Sequence, residues 1–300
     1  MYHCVGTLTQ AFPRVHSVGM MLAVAAVGTV AVVLFVAAAV ALSRAPITRK
    51  DLERFARRQR LTVTPGNGPL VVRSLAVTQR WRTLGLWTGL TCGALWALRE
   101  QRLTLNFIAA FLGWFIGAVV AEWRIAGVPR DERRRAASLE PRTVAVYLRR
   151  ESALLLGAAL AGLLAASAAV LVSAGSSAPR TVLEAAGWLL VSAAGLVLLG
   201  LTLRRVVTRP QPPAADELLA ADDALRARAS NVLVGSAIAA AGVPTAALLE
   251  LLDRRLGGDG TWAGIGLGAL VLELLVGYLV AVTNSPARTQ RRAMGQAATQ

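Results

Sequence analysis

Apolar residues recur along this chain in long runs divided by short polar stretches. The runs cover residues 17–42, 81–98, 105–123, 152–173, 182–203, 231–252 and 262–283. A helix rises about 1.5 Å per residue and a bilayer's hydrocarbon core is about 30 Å thick, so about 20 residues suffice to cross it. The pattern predicts an all-α fold, a polytopic transmembrane helical bundle of about seven spans. The run at 17–42 exceeds the roughly 7 to 15 apolar residues of a signal peptide. Arg44, Arg49 and Lys50 follow it rather than precede it. It is expected to be an uncleaved anchor. Met20 and Met21 open this run, so residues 1–19 are read either as a short tail or as an upstream mis-start.

The polar stretches fix a direction. Residues 122–151, between two apolar runs, carry eight arginines, and short basic loops resist translocation. Alternating outward from that loop assigns 26 of the 32 basic residues to the cytoplasmic side and leaves Arg14, Arg99, Arg102, Arg180, Arg254 and Arg255 outside. The expectation is an N-terminus out and a C-terminus in. The chain then divides into an N-terminal tail and first anchor (1–43), a basic cytoplasmic segment (44–80), a six-span membrane domain (81–283) with inner loops at 124–151 and 204–230, and a cytoplasmic tail (284–300).

Each inner segment has a proline opening a helical stretch that runs into the next span: Pro69, Pro141 and Pro213, spaced 72 residues apart both times. Proline suits a first helical turn, where its missing N–H would be unpaired anyway. This spacing points to three two-span repeats that enter from the same side. Residues 48–61 begin with a Thr48-x-x-Asp51 capping box and place Leu52, Phe55, Ala56 and Gln59 near one face. They are expected to form a short helix on the inner leaflet, or alternatively a coupling helix that docks a soluble partner. The TPGNGP that follows reads as a turn.

Composition sharpens the class. Hydrophobic residues make up 55% of the chain, above the share usual for a soluble domain. The net charge of +15 lies in loops beside apolar runs. It is therefore assigned to an anionic inner leaflet and not to nucleic acid. Cys4 and Cys92 offer no disulfide framework, and His3 and His16 precede the first run. No cofactor or metal site is expected.

Two stripes of small residues stand out: Gly85, Gly89, Gly93 and Ala97 in one run, Ala109, Gly113, Gly117 and Ala121 in the next. Residues four apart share a helix face, and small residues let helices approach closely in lipid. Packing within this hairpin is expected, with homo-oligomerisation through one stripe as the alternative. Among polar residues, Glu184 is read as capping-box partner of Thr181, Glu250 as partner of Arg254, and Glu122 as an interfacial acid beside Trp123 and Arg124. Glu273 differs because it falls near the middle of its run, which makes it the candidate intramembrane polar residue. It is expected to be protonated and bonded to a neighbouring helix, or to line a polar path. Gly242 with Pro244 is expected to kink the sixth run.

No HExxH, GxSxG or Walker A motif occurs, and Gly257–Gly260 reads as an outer turn. The segments DLERFARRQRLTVTPGNGPLVVRSLAVTQRWR, RRAASLEPRTVAVYLRR and ADDALR resemble those of uncharacterised multi-pass membrane proteins of high-GC actinobacteria. That resemblance implies a class and transfers no functional residue. The expectation is a plasma-membrane protein without catalytic activity, acting as a scaffold or as a subunit of a membrane complex. The alternative is a transporter or permease subunit, with a partner ATPase or an ion gradient and a polar path near Glu273.

Overall fold

The computed structural model describes residues 37–38, 40–41, 43–99, 107–126, 143–174, 179–209 and 216–282. Among them the secondary structure is entirely helical: α1 (Arg49–Gln59), α2 (Gly68–Arg99), α3 (Phe107–Ala126), α4 (Val144–Tyr147), α5 (Arg150–Ala174), α6 (Pro179–Thr208), α7 (Asp216–Leu256) and α8 (Thr261–Val282). Five of them, α3 and α5 to α8, are long and apolar enough to cross a membrane. The run at 81–98 forms the later part of α2 and is not among those five. The first run, Cys4, Pro141, Pro213 and the tail after 282 lie wholly or almost wholly outside the described residues.

α7 is the central helix, against which α8, α5, α6 and α3 pack. Its 41 residues extend about 60 Å at 1.5 Å per residue, about twice the thickness of a hydrocarbon core. It passes through Pro244 without ending. Leu233, Val234 and Ile238 on α7 join Phe115, Leu199 and Val206 in the principal core. A second cluster sets Leu248 and Leu252 against Leu163 and Val170 of α5. The helices run antiparallel, so the starts of α2, α5 and α7 and the ends of α3, α6 and α8 gather at one arginine-rich end.

α1 forms for local reasons. Thr48 caps it, its hydroxyl accepting from the Asp51 N–H while the Asp51 carboxylate accepts from the Thr48 N–H. Arg60 closes it in the left-handed region at φ 48°, with the Leu61 N–H donating to the Ala56 carbonyl. Its apolar face is covered by protein. Phe55 and Leu61 pack on Val71 and Leu75 of α2 and on Ala220, Ala221, Ala224 and Leu225 of α7. The TPGNGP turn is held by the buried Asn67, whose amide donates to the Thr62 carbonyl while its oxygen accepts from the Thr64 N–H.

The opposite end is turned by Gly257, Gly258 and Gly260, all at positive φ (128°, 68° and 85°), where a side chain would be strained. Asp253 locks that turn by accepting from the Gly260 and Trp262 N–H groups. The Thr181–Glu184 capping box does not form as expected, because α6 begins two residues earlier at Pro179. Thr181 is instead buried, and its hydroxyl accepts from Arg255.

Candidate functional site

The arginine-rich end carries the unusual chemistry of this molecule. Arg226, on the alanine-rich start of α7, is fully buried. Its Nε donates to Asp222 at 2.8 Å and one terminal nitrogen contacts the same carboxylate at 2.7 Å. The guanidinium also donates to the carbonyls of Val206 (3.1 Å), Val207 (2.6 Å) and Arg209 (2.9 Å). These carbonyls close α6, where the last turn of any helix lacks internal donors and carries partial negative charge. Arg226 thereby caps α6 with a side chain from α7. Arg209 reaches the other oxygen of Asp222 at 3.1 Å and lies 4.0 Å from the buried Glu122 of α3. The Tyr147 hydroxyl, on the single turn of α4, donates to Asp223 at 2.9 Å. Four segments remote in sequence are tied together here.

Beside this cluster lies a set of arginines without close counter-charges. Arg82 stacks over Trp114 (4.9 Å to the ring centroid) and Arg228 over Phe55 (5.6 Å). Arg82 and Arg228 both face the opposite charge of Glu122, while Arg82 also faces the like charge of Arg228 and Arg228 that of Arg58. The Arg82 Nε is buried with no hydrogen-bond partner. Two adjoining cavities meet at Arg58, Arg82 and Arg228. One, of about 340 Å³, opens toward α1 and includes Arg54 and Gln79. The other, of about 670 Å³, runs between the α2–α3 and α7–α8 hairpins along Phe111, Val232, Leu270 and Leu274.

The small-residue stripes sit where α2 and α3 touch. A Cβ added at Gly85 would collide with the Gly113 carbonyl oxygen and lie 2.9 Å from the Gly117 Cα. One at Gly89 would meet the Ala109 carbonyl, and one at Gly117 the Trp81 carbonyl. Gly93 is buried. A second close approach, not expected from the sequence, pairs Gly235 of α7 with Gly277 of α8.

Glu273 lies on α8 with its Cβ against Gly242 of α7, two residues before Pro244. Its Oε2 is buried and lacks the hydrogen bond to a neighbouring helix that was expected. It does not line the two cavities above or a third, of about 290 Å³, among α3, α5, α6 and α7. Glu250 and Arg254 are an exposed pair 4.0 Å apart. The Arg226 cluster went unread in the sequence because its arginines look like ordinary positive-inside residues. One signal was available: Asp222 and Arg226, four apart, sit in an alanine-rich stretch whose small side chains suit a helix enclosed on all sides.

No protein-family model matches the chain, and neither curated proteins nor solved structures gave a match.

Proposed function

We propose that this chain is a non-enzymatic, multi-pass protein of the plasma membrane that serves as a scaffold or as a subunit of a membrane complex. In this reading it has about seven spans, with its N-terminus outside and its arginine-rich end and C-terminus in the cytoplasm. The observation that carries the reading is the full engagement of the buried Arg226. Every nitrogen of the Arg226 guanidinium is engaged by Asp222 or by the closing carbonyls of α6. A guanidinium so occupied joins α6 to α7 rigidly and keeps no free donor of its own for a reacting group.

Around it, α1 and the start of α2 form a folded basic face, from which Arg49, Arg57 and Arg73 project into solvent. Such a face suits anionic headgroups and an acidic partner surface. The three-repeat reading is supported by the 72-residue spacing and by the likeness of α2–α3 to α7–α8, each a long helix returned by a shorter one through glycine contacts. The middle unit departs from it, since its helix is interrupted at residues 148–149 and Gly157, Gly162 and Gly187 have open space around them.

A second reading, a transporter or permease subunit, is favoured by the partnerless Oε2 of Glu273 beside Gly242. Purification of the tagged full chain from native membranes in mild detergent separates the two. The scaffold reading expects a stoichiometric membrane-protein partner and no change of solute flux in Glu273→Gln. A co-purifying ATPase, or a flux lost in a fully abundant Glu273→Gln variant, would replace it with the permease.

A further inference from the structure

We infer that the cavity meeting at Arg58, Arg82 and Arg228 is a binding site for one phosphate-headed anionic lipid, with its headgroup among the arginines and an acyl chain in the slot between the two hairpins. The first ground is charge. Three guanidiniums converge, and among the described residues none has a carboxylate within ion-pair distance. Of the nearby acids, Asp51 accepts from Thr48 and pairs with Arg54, and the buried Glu122 is a single counter-charge that Arg82, Arg209 and Arg228 share. Cations held this close together repel unless an anion sits among them.

The second ground is presentation. Trp114 and Phe55 each carry a guanidinium carbon over the ring, a contact that gives the N–H edges no oxygen acceptor. Those edges form the fork that matches phosphate oxygens, and the buried, unpartnered Arg82 Nε is one of them.

The third ground is the slot. From the arginines it follows α7 from Arg228 to Val243, fifteen residues or about 22 Å at 1.5 Å per residue. That depth exceeds one leaflet's share of a hydrocarbon core about 30 Å thick. Its walls are apolar apart from Ser236 and the Tyr278 hydroxyl, and Ile108 and Tyr278 on its rim are exposed, so it opens sideways. A free phosphate would satisfy the arginines and leave this apolar volume unfilled. A lipid with a neutral headgroup would fill the slot and leave the arginines without an anion. Only an anionic amphiphile meets both.

Native mass spectrometry of the full chain in detergent tests this with dioleoyl-phosphatidylglycerol, dioleoyl-phosphatidylcholine and inorganic phosphate as probes. The expected result is a single retained phosphatidylglycerol, with phosphatidylcholine weaker by about tenfold or more, the worth of charge-assisted hydrogen bonds to the headgroup. Arg82→Gln and Arg228→Gln lower phosphatidylglycerol occupancy by a similar factor, and Leu274→Trp, which fills the slot, also lowers it. Arg73→Gln, an exposed arginine on α2 outside the cavity, leaves it unchanged. Should Arg82→Gln fail to fold, Arg58→Gln at an exposed position with an unchanged melting temperature carries the same test. Equal retention of the two lipids, no bound lipid at all, or full phosphatidylglycerol occupancy in Arg58→Gln and Arg228→Gln would overturn the site. Competition by inorganic phosphate together with a silent Leu274→Trp would reassign it to free phosphate.

Discussion

Arg226 concentrates what this fold asks of a single residue. It carries a charge away from water, which costs several kcal/mol unless the charge is paired and hydrogen-bonded, and it meets that cost with Asp222 and three α6 carbonyls. Arg226→Met would leave the buried Asp222 with Arg209 alone and reopen the end of α6, so a loss of about 3 to 5 kcal/mol is expected. Arg226→Lys should recover only part of that, because an ammonium lacks the planar fork. Thermal unfolding in detergent reads both, with Arg204→Met, at an exposed position one turn of chain before the α6 end, staying near wild type. At the opposite extreme of burial, the Thr48 side-chain and backbone hydrogen bonds hold the Asp51 carboxyl below its ordinary 3.8, with help from Arg54. A carboxyl lowered in the folded state stabilises fully above its unfolded pKa and loses that contribution as pH falls through the folded one. Thr48→Ala should therefore move the Asp51 titration upward in an NMR pH series and weaken the α1 cap by about 1 kcal/mol. An Asp51 that titrates unchanged in Thr48→Ala would remove the cap as the cause.

At the scale of elements, the glycine contacts decide which helices are locked. Gly85→Leu or Gly117→Leu must drive α2 from α3, since the added side chain meets backbone, and overpacking of this kind costs about 1 to 3 kcal/mol or more. Gly157→Leu and Gly187→Leu meet open space and should leave the detergent melting temperature within about half a kcal/mol's worth of wild type. Equal effects at all four positions would make the stripes a matter of composition.

The elements differ in how much of them was legible beforehand. The α1 cap and the α2–α3 stripes rest on residues three or four apart, so one stretch of sequence holds the whole signal. The α6 start was misplaced because Thr181 and Glu184 mimic a cap, while the partner that claims Thr181, Arg255, lies 74 residues away. Likewise the amphipathic pattern of α1 states that one face is covered and not by what; the cover is α2 and α7. The candidate site divides in the same way. Glu273 was legible as an acid in an apolar run, whereas the grouping of Glu122, Arg209, Asp222 and Arg226 exists only once α3, α6 and α7 have met.

The whole molecule is polarised. Its far end is a glycine turn locked by Asp253, and its near end gathers the buried cluster, the docked α1 and the arginine-lined cavities. The proposed role depends first on that near end facing the cytoplasm with the apolar helices across the membrane. The last described turn of α8 supplies Val282 to the wall shared by Arg58 and Arg82, so the C-terminal end of the helix reports on the same side. Fusion of reporters after Gln300 measures this directly: a fluorescent protein should be bright there and alkaline phosphatase inactive, whereas an active phosphatase would put the basic end outside and contradict the proposal.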